Sequence, residues 1–200
     1  MTTFTFDTDV PNVQPSRSNW ELLTNTRVFQ SPFTNAIQTA SRKGSAWRCS
    51  LRFDDLFGED RAKMQAFLTK LDGQRHRFKI RDHTFTRRGT GTATGWTSNT
   101  SSGNSLVLQK SSGTALTIKA GDYLSVDNQL FMAVADASTS SPHTALTVSV
   151  APEIRDMTAG EAVELLQPTG VFVLASSASW DTEVGIVSSF TIEGIEDVLA

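Results

Sequence analysis

Between residues 46 and 81 the spacing of apolar side chains changes period twice. Trp47, Cys49, Leu51 and Phe53 alternate with Arg48, Ser50 and Arg52, which predicts a half-buried strand over 46–53. Met64, Phe67, Leu68 and Leu71 then recur on one helical face, so a helix is expected over 59–71. Glu59 and Asp60 suit its positive start, and Gly73 suits the left-handed position after its end. Alternation returns in Arg77-Phe78-Lys79-Ile80-Arg81, with Phe78 and Ile80 inward and three cations outward. Strand, helix and strand form one compact unit in which Met64 and Phe67 seal an open side of the sheet.

Residues 11–44 carry Pro11, Pro15 and Pro32 among many Ser, Thr and Asn, with apolar patches only at Leu22-Leu23 and Val28-Phe29. This reads as loops with one or two short strands, and leaves room for an extended arm reaching a neighbour. At Gly89 the composition turns to Gly, Thr, Ser, Ala and Asn through Ser105, around a single Trp96. Beyond it, strand candidates at Ser105–Gln109, Ala115–Lys119, Tyr123–Val126, Leu130–Ala135, Ala145–Val150 and Ala162–Leu166 have the spacing of a small all-β barrel or sandwich. Asp127-Asn128 is the expected hairpin tip, because both residues tolerate positive φ. Val171–Leu174 and the stretch with Ile186, Phe190 and Ile192 on one face have no helix nearby and are expected to rejoin the first sheet. The fold class expected is therefore mainly β. Residues 1–88 and 169–200 form a β-sandwich or split-barrel domain with one helix, and residues 89–168 a small inserted β-barrel.

With 200 residues, 38% hydrophobic and 20% charged, the chain has enough material for a globular core. The lone Cys49 cannot form an intramolecular bridge and reads as a buried apolar side chain. The start, Met1-Thr2-Thr3-Phe4-Thr5-Phe6-Asp7, has no basic region leading into an apolar run, and no stretch is apolar enough to span a bilayer. The expectation is a protein made in a cytosol, without membrane insertion, that reaches other places as part of an assembly.

Charge is divided unevenly. Residues 1–88 hold 15 Lys+Arg against 9 Asp+Glu, and residues 89–200 hold 3 against 12. That polarity favours head-to-tail stacking of subunits, or simply reflects two domains with different surfaces. The basic run Arg77, Lys79, Arg81, Arg87 and Arg88 could neutralise phosphates, but its alternation with core residues favours a subunit contact with the acidic half.

His76, His83 and His143 lack metal-ligand spacing, and no G-x-S-x-G, Walker or dinucleotide motif occurs. Paired acids such as Asp54-Asp55 and Glu196-Asp197 suit solvated surfaces better than glycoside cleavage. No metal, no cofactor and no enzymatic activity are expected.

Three stretches carry a family resemblance. Phe67-Leu68-Thr69-Lys70-Leu71-Asp72-Gly73-Gln74 leads into Arg77-Phe78-Lys79-Ile80-Arg81-Asp82. Ala120-Gly121-Asp122-Tyr123-Leu124-Ser125-Val126 leads to Gln129-Leu130-Phe131, and Val150-Ala151-Pro152-Glu153-Ile154-Arg155 follows. Together they resemble the distal tail and related tail-tip proteins of long-tailed phages, in order over most of residues 45–200. The resemblance implies a virion structural protein: a β-sandwich or split-barrel domain with one helix, assembled as a hexameric ring around the DNA channel. Its partners would be the tail tube and the hub or fibre proteins of the baseplate, with genomic DNA passing through unbound and the inserted domain facing outward. On that picture Asp181, Glu183, Glu193, Glu196 and Asp197 are candidate lining for a lumen that repels DNA phosphates.

Three other readings stay open. A carbohydrate- or receptor-binding module would stack sugar rings on Trp96, in the most exposed-looking loop, or on Tyr123 and Trp180. Another tail component, such as a tube terminator or hub-associated protein, would use the same β-rich pattern. An enzyme is the third, although no nucleophile, base and orienting group occur together.

Overall fold

The computed structural model describes residues 1–111, 115–177, 179–182 and 187–199. It is mainly β, with a nearly closed barrel-like sheet and several smaller sheets. In chain order the elements are β1 (Thr3–Thr5), α1 (Phe6–Asp9), β2 (Arg17–Leu23), β3 (Thr26–Gln30), β4 (Ile37–Ser41), β5 (Ala46–Leu56), α2 (Gly58–Lys70) and β6 (Arg77–Arg81). Then come β7 (Thr97–Ser98), β8 (Ser105–Gln109), β9 (Thr117–Ile118), β10 (Tyr123–Val126), β11 (Gln129–Ala133), β12 (Ala137–Ser138), β13 (Ala145–Ala151) and β14 (Val163–Glu164). The chain closes with β15 (Thr169–Leu174), β16 (Trp180–Thr182) and β17 (Ser188–Glu196).

One sheet runs β1-β6-β15-β17-β5-β2, with β16 also paired to β17. A second runs β14-β10-β11-β13-β8-β7. The first thus draws its strands from both ends of the chain, and the second from the middle.

The first core lies where the alternation of β5 points Trp47, Cys49, Leu51 and Phe53 toward Met64, Phe67 and Leu68 of α2. α2 has no side-chain cap at Phe57; a Glu59–Lys63 pair at 2.8 Å spans its first turns, and Asp72 and Gly73 at positive φ end the segment. The short α1, which apolar periodicity does not signal, tucks Phe6 against Phe53 and Phe67 with ring centroids 5.5 and 5.3 Å apart. Gly194 of β17 lies close to Phe78, Cys49 and Phe172: a methyl group there would meet them at 3.0 to 3.2 Å.

The second core gathers Trp96, Leu106, Leu108, Leu124, Phe131, Val148 and Val150. The β10–β11 hairpin belongs to both cores. Leu124, Val126, Phe131 and Ala133 face the second, while Tyr123, Leu130 and Met132 face the first. Asp127 and Asn128 at its tip hold φ of 47° and 64°, as their residue types suggest. A hairpin buried on both faces needs apolar residues on both, which is why Leu130-Phe131-Met132 does not alternate.

Candidate functional site

The joint between the sheets is built around Glu196 at the end of β17. Pairing with Phe172 turns this carboxylate inward, where its side chain is 0% exposed. One oxygen accepts from the Trp47 backbone N–H at 3.0 Å, and the other from the Leu130 N–H at 3.1 Å and the Arg155 guanidinium at 2.7 Å. The Trp47 indole N–H donates across the same joint to the Leu130 carbonyl at 2.9 Å. Glu196 is therefore a structural anchor, which corrects its expected place in a channel lining.

The other described acids of that set do not share one face with it. Asp181 is exposed on β16, Glu193 pairs with Arg48 at 3.4 Å, and Asp197 is mostly buried and pairs with Arg77. Glu183 lies outside the described residues. One reason the grouping misleads is that consecutive strand residues point to opposite faces, so Glu193 and Glu196 diverge.

The basic run is mostly engaged inside the chain. Arg77 bonds Asp197, and Arg81 donates to Asp7 at 2.7 Å, so acids near both termini fold back onto the outward face of β6. Arg87 donates to the carbonyls of Thr90 and Thr117 at 2.8 and 3.0 Å. Arg88 reaches the Ala120 carbonyl, and its backbone N–H donates to the buried Asp122 at 2.9 Å. Asp122 also accepts from the N–H groups of Gly89 and Lys119, at 3.0 and 2.9 Å, so it ties the entry of the middle segment to the turn before β10. Gly89 has no room for a side chain, since a methyl group would lie 2.0 Å from the Thr117 carbonyl oxygen. Lys79 has no ion pair among the described residues. It lines a cleft of about 270 Å³ with Asp127, Glu161 and Glu164.

Asp7 sits between Arg81 and His83, whose Nε2 is 2.9 Å from it. The hydrogen bond from His83 lowers the Asp7 carboxyl from its ordinary 3.8 to about 2, against the opposing effect of burial and with help from Arg81. The cluster clamps the N-terminal segment onto β6. Burial pushes the Cys49 thiol up to about 12, so it stays protonated and unreactive. Among the described residues no group of three or more His, Cys, Asp or Glu could hold a metal ion.

Trp96 is 1% exposed, which corrects its expected role as a stacking platform. Its segment is not a free loop. The indole N–H donates to the Thr92 carbonyl at 2.8 Å, its own carbonyl accepts from Val163, and the following residues pair with β8 as β7. Tyr123 is likewise buried, with its ring against Trp20, Trp47 and Phe85. Trp180 is 40% exposed and packs on Phe190.

Residues 11–44, expected as loops with one or two short strands, hold three strands, and two of them, β3 and β4, form a β-ribbon. β3 and β4 pair from Thr26↔Ser41 to Gln30↔Ile37 and hydrogen-bond to no other strand among the described residues. Val28 and Ile37 lie on one face, Phe29 on the other, and Phe33 at the turn is 96% exposed. Composition hid this element because its strands carry more polar than apolar residues, six against four. The faint signal was Val28-Phe29 and Ile37 flanking the Pro32 turn. No protein-family model matches the chain, and no curated protein sequence matches it significantly.

Proposed function

We propose that this chain is a structural, non-enzymatic subunit of a phage tail tip. It forms a ring that joins the tail tube to the host-recognition apparatus and resides in the virion tail. The observation that carries this reading is the β3–β4 ribbon with its exposed Val28, Phe29, Phe33 and Ile37. A two-stranded ribbon alone is marginal in water, and exposed apolar groups on both faces call for cover by another protein. The joint at Glu196 suits a connector, since it ties residues of the two sheets together through one buried carboxylate. Three clusters of ionisable groups, Asp7 with Arg81 and His83, Asp122 with Arg88, and Glu196 with Arg155, are hydrogen-bonded into the framework. The resemblance over residues 45–200 supplies the place in the tail. Ring closure would also cover sheet edges that otherwise invite open-ended pairing.

Mass photometry and negative-stain imaging of the purified chain over a range of concentrations test the reading. Closed rings of one defined subunit number, six on this proposal, are the expected result. A chain that stays monomeric at every concentration overturns it.

A further inference from the structure

We infer that the β3–β4 arm of one copy is covered by the acid-rich half of a second copy, residues 89–200. This rests on the reading that the chain assembles with itself and names the surface used. The arm and its two connections, residues 24–45, hold Arg27, Arg42 and Lys43 and no carboxylate. Lys43 pairs with Glu153 of its own chain at 3.6 Å, at the arm's base. Arg27 and Arg42 have no ion pair among the described residues.

The opposite charge is left over elsewhere. Residues 89–200 carry 12 acids against 3 bases. Among the described residues Asp127, Glu161 and Glu164 make no ion pair, and they face one cleft in which Lys79 is the cation. The sequence-level polarity suggested that Arg77, Arg81 and Arg88 meet this acidic half in a neighbour, but those three are paired within the chain. Among the described residues the arm's Arg27 and Arg42, like Arg17, Arg61, Lys79, Arg87 and Lys110, make no ion pair within the chain; the arm is where such charge stands beside exposed apolar side chains with no carboxylate nearby in sequence.

Apolar chemistry points the same way. The arm's own chain leaves Val28 and Ile37 exposed on one face and Phe29 on the other. A cover from a second copy makes a head-to-tail contact, arm to acidic half, and contacts of that kind close into rings when the rotation allows. Charge steers the encounter and sets its direction, and the apolar residues hold it.

Sedimentation velocity of the full chain, at low and high salt, tests this. Three variants are used: Arg27→Glu with Arg42→Glu, Glu161→Arg alone, and all three changes combined. Phe33→Ser, at a fully exposed turn, serves as a fourth variant that cannot unfold the domain. The wild type is expected to assemble. The arm reversal and Glu161→Arg should each raise the dissociation concentration by about tenfold at low salt, and the combined variant should recover much of that loss. Phe33→Ser should weaken assembly at both salt concentrations. If the wild type assembles while the arm reversal or Glu161→Arg leaves assembly unchanged, the inference is overturned and the ring reading stands. An arm reversal that is not rescued by Glu161→Arg also overturns it, and assigns the arm to a different partner. A wild-type chain that never assembles overturns both.

Discussion

The Arg155 guanidinium lies 2.7 Å from the Glu196 carboxylate, and this pair closes the joint between the two sheets. Glu196 is 0% and Arg155 12% exposed, so neither charge is solvated in the usual way. Arg155 is held in turn by Gln129, whose side-chain oxygen accepts from its backbone N–H at 3.1 Å and its Nε at 3.3 Å. Loss of one partner leaves the other charge buried and uncompensated. Arg155→Ala should therefore cost about 3 kcal/mol in chemical denaturation, and the loss should change little with salt. Glu196→Gln leaves the Arg155 charge without its counterion and turns an amide NH2 toward one of the donors that the carboxylate now accepts from, so it should cost at least as much. A cost for Arg155→Ala no larger than that of an exposed pair would show that the joint does not depend on this contact.

Acid titration should report the clamp at the N-terminus. Asp7 is lowered from 3.8 to about 2, first by the hydrogen bond from His83. A depressed carboxyl stabilises the fold above its unfolded value and loses that contribution as pH falls toward its folded value. With the side chain 34% exposed, solvent screening reduces the contribution to about 1 kcal/mol. Asp7→Asn should be less stable than wild type by that amount at neutral pH, and the two should converge as pH falls from about 4 to about 2. A constant difference across that window would place the effect in packing instead of charge.

Local pattern was enough for much of this architecture. The alternation around Trp47 and Phe53 became β5, the helical stripe of Met64, Phe67 and Leu68 became α2, and Arg77–Arg81 became β6. Each of these carries its own periodicity, because one face meets a core and the other meets water. The reach of Glu196 to Leu130 could not be read the same way, because an acid at the end of an alternating strand looks like a solvated one until its partner across the fold is known. Trp96 misled for a related reason. Its Gly- and Thr-rich neighbours describe backbone that packs closely against residues 115–117, and composition does not distinguish that from a free loop.

Trp96 separates the structural from the ligand-stacking view. Its indole fills the second core and its N–H is satisfied by the Thr92 carbonyl. Trp96→Ala should cost roughly 3–5 kcal/mol in thermal or chemical unfolding, since a large buried ring leaves a cavity. Trp96→Phe keeps most of the packing and gives up one hydrogen bond, a loss of about 1 kcal/mol plus a smaller void. A Trp96→Ala chain as stable as wild type would return this residue to the surface.

The alkaline limb has a single reporter, because Tyr123 is the one tyrosine in the chain. Burial raises its hydroxyl from 10.0 to about 12, and the negative charge of Asp82 adds to the effect. A phenol that keeps its proton longer in the folded state makes the fold lose stability as pH rises above the unfolded value. Ultraviolet absorbance of the phenolate should therefore show the native chain ionising near 12, and stability should decline from pH 10 upward. Tyr123→Phe should abolish the absorbance step and remove the phenol's share of that decline, leaving the share of the buried Cys49 thiol, which is also raised to about 12. Native ionisation near 10 would mean that the β10–β11 hairpin does not enter the first core, and the shared wall between the two sheets would have to be redrawn.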